Sequence, residues 1–198
     1  MKLDRQTIQT ATIELLNEKG LDALSMRALA QKLDVKAASL YFHLKNKNDL
    51  MELIAELISA RVYDRLQAVD QVDFSCLAHV LREELKRVND SPKIFENTYP
   101  FTPYRTKLIT LAIKTIRDLG VDEKHLTVAG NMGNNFVLSY VADEQYFAQT
   151  AQLAMPKEFA ANMPAPIDMA NPEQAFDYGL AIFLNGLKAM AEHDSTDS

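Results

Sequence analysis

The sequence predicts an all-α fold, with a small three-helix module over residues 1–48 that carries a helix-turn-helix, and a larger helical body over residues 49–198. Three patterns point there. Apolar residues recur every three or four positions through nearly all of the chain. No segment alternates polar and apolar residues between turn signals, as a half-buried strand does. Glycine and proline fall mostly between the periodic segments, where helices end.

In chain order, Ile8, Ala11, Leu15 and Leu16 lie at helical spacing, and Gly20 follows in the position of a left-handed C-terminal cap, so a first helix is expected over roughly 4–19. Ser25 caps a second helix with Leu29, Ala30 and Leu33 as its apolar positions. Asp34 marks the turn, because Asp is one of the few non-glycine residues that tolerate a left-handed conformation. A very short third helix turns Val35, Leu40 and Leu44 inward and leaves Lys36, Ala37, Ala38, Ser39, Tyr41 and His43 on its other faces. Long amphipathic helices follow over 47–69, 74–88 and 104–120, the last ending at Gly120. Residues 90–104, with three prolines, are expected to bend or break. Residues 123–153 read as one helix despite Gly130 and Gly133, which cost about 1 kcal/mol each in a helix interior. A proline-bearing loop spans 155–172, a final helix begins at Pro172, and the tail from His193 reads as unstructured.

A hydrophobic content of 47% with 24% charged residues suits a packed chain and argues against disorder. The lone Cys76 has no intramolecular disulfide partner, and no apolar run approaches the roughly 20 residues that span a bilayer. The opening "MKLDRQTIQT" lacks the apolar stretch of a secretion signal, so a cytoplasmic protein without a membrane partner is expected. Charge is uneven. Residues 1–48 hold eight Lys/Arg against five Asp/Glu, a balance of +3, which leaves −9 on the other 150 residues to give the net −6. Such asymmetry fits an anion-binding face on an acidic body, or a solvated helix face.

The segments "LLNEKGLDALSMRALAQKLDV" and "LYFHLKNKNDL" resemble the DNA-binding domain of the TetR family of bacterial transcriptional regulators, across the whole N-terminal module. In the body, "SPKIFENTYP" and "FVLSYVADEQ" are similar to segments of the tetracycline-repressor-like branch. The resemblance implies an all-helical homodimer that binds a double-stranded DNA operator through the module and a small-molecule inducer of unknown identity in the body. Repressor is the expected role.

The chemistry of the third helix supports this independently. A helix enters the major groove, about 12 Å wide, only if its leading side chains are small or polar enough to approach base edges. Lys36, Ala37, Ala38 and Ser39 meet that condition, Ser39, Tyr41 and His43 can donate to phosphates, and Lys47 adds charge beside the backbone. Arg27 matches a family position that reaches a base or phosphate. Tyr41 can instead pack between helices, Phe42 is expected in the core or shielding backbone, and the two alanines can be simple helix formers. Where the tetracycline repressor branch reads bases with a Gln-Pro pair, this chain has Ala37 and Ala38, so its operator should differ.

The same comparison implies a ligand pocket lined by Tyr63, Leu77, Leu81, Phe95, Tyr99, Phe101, Tyr104, Asn131, Asn135 and Tyr146. Tyr63, Leu77, Phe95 and Tyr146 stand where the drug-binding branch has the His, Asn, His and Glu that hold tetracycline and its magnesium ion. Two phenols and two hydrocarbon side chains suit an apolar or aromatic inducer better than a hard cation, and no cofactor or metal is expected. An enzyme would need convergent catalytic groups, yet the four histidines are scattered and no phosphate-binding glycine loop is present. A ligand-independent DNA-binding or architectural protein on the same fold is the alternative reading. Segments 123–150 and 173–191 are apolar over more than one face, with Gly130, Gly133, Gly179 and Gly186 permitting close helix approach, so dimerisation through them is expected.

Overall fold

The computed structural model describes residues 3–150 and 171–196, and every regular element among them is helical. The chain forms two compact units, residues 1–115 and 116–198. The boundary at 48/49 read from the sequence falls inside the first unit, near the start of its long central helix.

In the first unit, α1 (Arg5–Ala23) is capped by Asp4, whose carboxylate accepts the Thr7 N–H at 2.8 Å, and it buries Ile8, Ala11, Thr12, Leu15 and Leu16. α2 (Met26–Lys32) starts at the Ser25 cap, and α3 (Ala37–Tyr41) follows a turn in which Asp34 adopts φ 52°, the left-handed conformation expected of it. α4 (Lys47–Leu66) is capped by Asn46 and packs on α1, on α5 (Phe74–Lys86) and on α6 (Ser91–Glu96). It buries Leu50, Leu53, Ile54, Ile58, Val62 and Leu66, each contributing about 1.5–3 kcal/mol. Surface ion pairs such as Lys32–Glu18, screened by solvent, are secondary to that.

The proline-containing 90–104 stretch does more than bend. Pro92 falls in the first turn of α6, where a missing N–H costs nothing, and α7 (Pro103–Arg117) begins on another proline for the same reason. α6 is the element that the sequence reading passed over.

Gly20 breaks α1, but not as a left-handed cap. Its φ of 74° is combined with ψ 176°, a region that is essentially glycine-only. That geometry presents the Leu21 N–H to Asp90 Oδ2 at 2.8 Å, and a Cβ on Gly20 would stand 3.1 Å from the same oxygen. Asp90 itself has φ 58° at the head of α6, and its other oxygen accepts from Lys93 at 2.8 Å. Asn17 completes the joint by donating to the Arg87 carbonyl at 3.1 Å and accepting the Asn89 N–H at 2.8 Å. The end of α1 is thereby fastened to the corner between α5 and α6.

In the second unit, a short 3-10 turn (Glu123–His125) leads into α8 (Leu126–Thr150), which runs unbroken through Gly130 and Gly133. α9 (Pro172–Thr196) starts on the Asn171 cap, whose side chain accepts the Gln174 N–H at 3.1 Å. Phe136 and Tyr140 of α8 meet Phe176 of α9 with ring centroids 5.3 Å apart in each case. A Cβ on Gly179 would approach Phe136 to 2.8 Å, so this glycine serves contact within one chain, whereas Gly186 has nothing within 4 Å. α9 continues through Thr196, past the point where an unstructured tail was expected, because neither glycine nor proline follows Gly186 and each added residue gains a hydrogen bond. The 155–170 part of the expected loop lies outside the described residues.

Gly20→Ala should destabilise the first unit by about 1–3 kcal/mol, through backbone strain and the crowded Asp90 carboxylate. Urea denaturation measures the loss, and a change below about 0.5 kcal/mol would show that the joint relaxes freely.

Candidate functional site

α3 is five residues long because only Leu40 is pinned to the core. Leu40 is fully buried, while Val35 and Leu44 are half-buried, so the intended inward set is only partly enclosed. The rest of the turn and helix faces outward. Lys36, Ala38, Tyr41 and His43 are exposed, Ala37 and Ser39 half-buried, and Arg27 is exposed at the head of α2. Phe42, expected in the core or against backbone, is 90% exposed, because the chain leaves the helix at this residue and Leu40 already fills the inward position.

The basic residues divide into two groups. Lys32 is spent inside the module, 2.8 Å from Glu18 and 3.3 Å from Glu14, where it ties α2 to α1. Lys47 donates to the Leu21 carbonyl at 2.7 Å, so the residue that starts α4 also holds the end of α1. Arg27, Lys36 and Lys45 have no ion-pair partner among the described residues. The module therefore presents small side chains, hydroxyls and uncompensated cations on one short helix and its flanks.

The ligand residues read from the sequence are distributed as follows. In the first unit Leu77 and Phe95 are buried, and Tyr63, Leu81 and Tyr104 are half-buried. Tyr99 and Phe101 form an exposed edge-on pair with centroids 5.1 Å apart, and no ring contact links that pair to Phe95 or Tyr104. Tyr63 and Tyr104 form a second pair at 5.8 Å. In the second unit Asn131, Asn135 and Tyr146 are exposed on α8, as is Asn134, and Tyr146 contacts the Phe147 ring at 5.6 Å.

Three charged residues organise this region, and none carries a sequence signal. Glu56 of α4 accepts the Thr102 hydroxyl at 2.5 Å and the N–H groups of Tyr104 and Arg105 at 2.9 and 3.4 Å. With Pro103 in the first position, these are the orphan donors that open α7, so a carboxylate from another helix caps it. Arg105 is buried against the Phe95 ring, 4.7 Å from its centroid, and donates to the carbonyls of Phe95, Thr98 and Tyr99 at 3.1–3.3 Å. Burial pushes its pKa below the usual arginine value, against the pull of Glu56 and Glu52. Lys107 lies over the Tyr63 and Tyr104 rings. Their partners are distant in sequence or are main-chain atoms, so spacing does not reveal them. An open cleft of about 700 Å³ beside Glu56 is lined by Ile8, His43, Leu53, Leu57 and Tyr104 among others.

The chain is similar to known proteins over nearly its whole length. Residues 8–54 match the family described as bacterial regulatory proteins, tetR family, and residues 67–191 match the tetracyclin repressor-like C-terminal domain. The tetracycline repressor protein class D of Escherichia coli is 31% identical over 195 residues, covering 96% of this chain and 88% of that protein. A possible TetR family transcriptional regulator from Streptomyces coelicolor A3(2) superposes with a TM-score of 0.79 at 27% identity, over 94% of this chain and all of the other. A single-residue variant of TetR from Acinetobacter baumannii AYE, solved in complex with minocycline, gives 0.75 at 26% identity, over 96% of this chain and 99% of the other.

Replacing Arg105 by Met keeps the bulk beside Phe95 but strips three carbonyls of their donor, and should cost about 2–3 kcal/mol in urea denaturation. Equal stability of variant and parent would mean that water takes over the carbonyls at no cost.

Proposed function

The chain belongs to the TetR family of bacterial regulatory proteins, and on that premise we propose that it is a transcriptional repressor, released from a palindromic DNA operator by a small apolar or aromatic inducer. The single observation that carries this reading is the face of α3, where small and polar side chains surround one buried anchor, Leu40, beside uncompensated cations. In this reading residues 1–48 form the DNA-binding domain, and residues 49–198 bind ligand and dimerise. Ala37 and Ala38 approach base edges, while Arg27, Lys36, Ser39, Tyr41, His43 and Lys47 hold phosphates. Lys47 contributes through the N–H donors that Leu21 leaves free.

Exposed apolar residues on the second unit support a homodimer. Val128, Met132 and Phe147 of α8 and Tyr178, Ile182 and Met190 of α9 all face outward in the single chain. A two-fold axis would cover them and set two α3 helices one turn of DNA apart, about 34–36 Å.

α4 is the connection between DNA and ligand. At 20 residues it spans about 30 Å. It begins beside the end of α1, carries Glu56 at the cap of α7, and carries Tyr63 against Tyr104. A molecule seated on Tyr63, Tyr104 and Phe95 would shift the α6–α7 connection, and Glu56 passes that shift to α4 and so to the spacing of the α3 pair. Linkage requires that the inducer bind the operator complex more weakly by the factor that it weakens DNA binding.

The residues do not fit a magnesium-chelated drug. Leu77 and Phe95 are buried hydrocarbon, and the Tyr63 ring already faces the Lys107 ammonium at 4.7 Å, which would repel a divalent cation. Tetracycline with magnesium should leave the operator complex intact.

Selection of bound DNA from a random pool should recover an inverted repeat, and enrichment of no sequence would reject the reading. On that repeat Lys36→Ala should weaken binding to all DNA and lower the salt slope by about one, whereas Ala37→Gln should change which sequence is preferred. Sedimentation should give a dimer at micromolar concentration, and Ile182→Asp a monomer with much weaker operator binding; a wild-type monomer would remove the two-fold model.

A further inference from the structure

Lys107 lies one turn into α7, with its ammonium 4.7 Å from the centroid of the Tyr63 ring and 4.5 Å from that of Tyr104. The two rings meet at an interplanar angle of 61°, so two π faces form a corner around one cation. Attraction to both faces holds the long side chain in place. What the corner lacks is a counter-charge. Arg65, Lys93, Arg117 and Lys124 each sit against a carboxylate. Lys107 has none among the described residues. Glu56, the α4 carboxylate that reaches α7, is already committed to Thr102 and to the N–H groups of Tyr104 and Arg105. The three ammonium donors are therefore available to an anion from outside the chain.

We propose that the inducer is an aromatic acid, its carboxylate paired with Lys107 and its ring packed on Tyr63 and Tyr104. This rests on reading those tyrosines as part of the inducer site. An exposed ion pair in water discriminates little, by a few-fold at most. A ring laid over the two tyrosines changes that, because it covers the ammonium and the charge-assisted hydrogen bond forms out of water. The body carries net negative charge, so an anionic ligand is disfavoured over most of it and favoured where an uncompensated cation waits. The same corner disfavours amines, which would meet the Lys107 charge.

The chain has no tryptophan, so naphthyl fluorescence excited at wavelengths beyond tyrosine absorption can be followed without protein background. Purified full-length protein is titrated at pH 7 with 2-naphthoate and with its neutral isostere 2-naphthamide. Naphthoate should bind about tenfold more tightly than the amide. Lys107→Met should bring naphthoate down to the affinity of the amide, Lys107→Arg should keep the preference, and Tyr63→Ala should weaken both ligands. Equal binding of acid and amide to the wild type, or a preference that survives in Lys107→Met, overturns the acid assignment and leaves the tyrosines as an inducer site. Failure of both ligands to bind below about 1 mM overturns that reading of the tyrosines, and the inference with it.

Discussion

The carboxylate of Glu56 governs how this chain is put together. It reaches from the middle of α4 to the first N–H groups of α7, which Pro103 and the turn before it leave without helical partners. One ionised side chain thereby satisfies donors that would otherwise have to face water, and binds the helix leaving the DNA-binding module to the turn that carries Tyr99, Phe101 and Tyr104. Neighbouring helices packed only by leucines can slide. A carboxylate fixed on three donors within one short turn resists that.

Arg105 secures the other side of the same turn. Burying a guanidinium without a carboxylate in contact is costly, and the lowered pKa reflects that desolvation. The charge is compensated by carbonyls at the end of α6 and by the Phe95 ring. The acid on α4 thus caps one helix at its start, and the base on α7 closes another at its end, both in line with the helix dipoles. The 97–102 connection between them is thereby held at both ends.

The DNA-binding module depends on this frame through the Gly20 joint. Asp90, Asn89 and Lys47 hold the main chain around residues 17–21 from three directions, so the orientation of α1 follows the corner between α5 and α6 as well as α4. The charge asymmetry takes on a finer meaning here. Part of the basic character of the module is structural, in Lys32 and Lys47, and part is left uncompensated, in Arg27, Lys36 and Lys45. A net charge does not make that division.

Helix identity, the cap at Ser25, the left-handed Asp34 and the small residues that lead α3 were legible in the sequence, because each depends on residues within one or two turns of each other. Spacing and capping chemistry carry that information locally. The basic residues of the module were legible as a group for the same reason. Only the tertiary structure decided that Phe42 stands in solvent, that α6 forms within a proline-containing stretch, that Tyr99 and Phe101 pair apart from Tyr104, and that Glu56, Arg105 and Lys107 organise the start of α7. The roles of Glu56 and Arg105 hang on contacts between α4 and α7 nearly fifty residues apart, and on carbonyl groups that every residue possesses. Periodicity records which face of a helix is apolar. Which lysine keeps its charge and which acid becomes a cap is settled when the helices meet, by which donor lies within hydrogen-bonding distance.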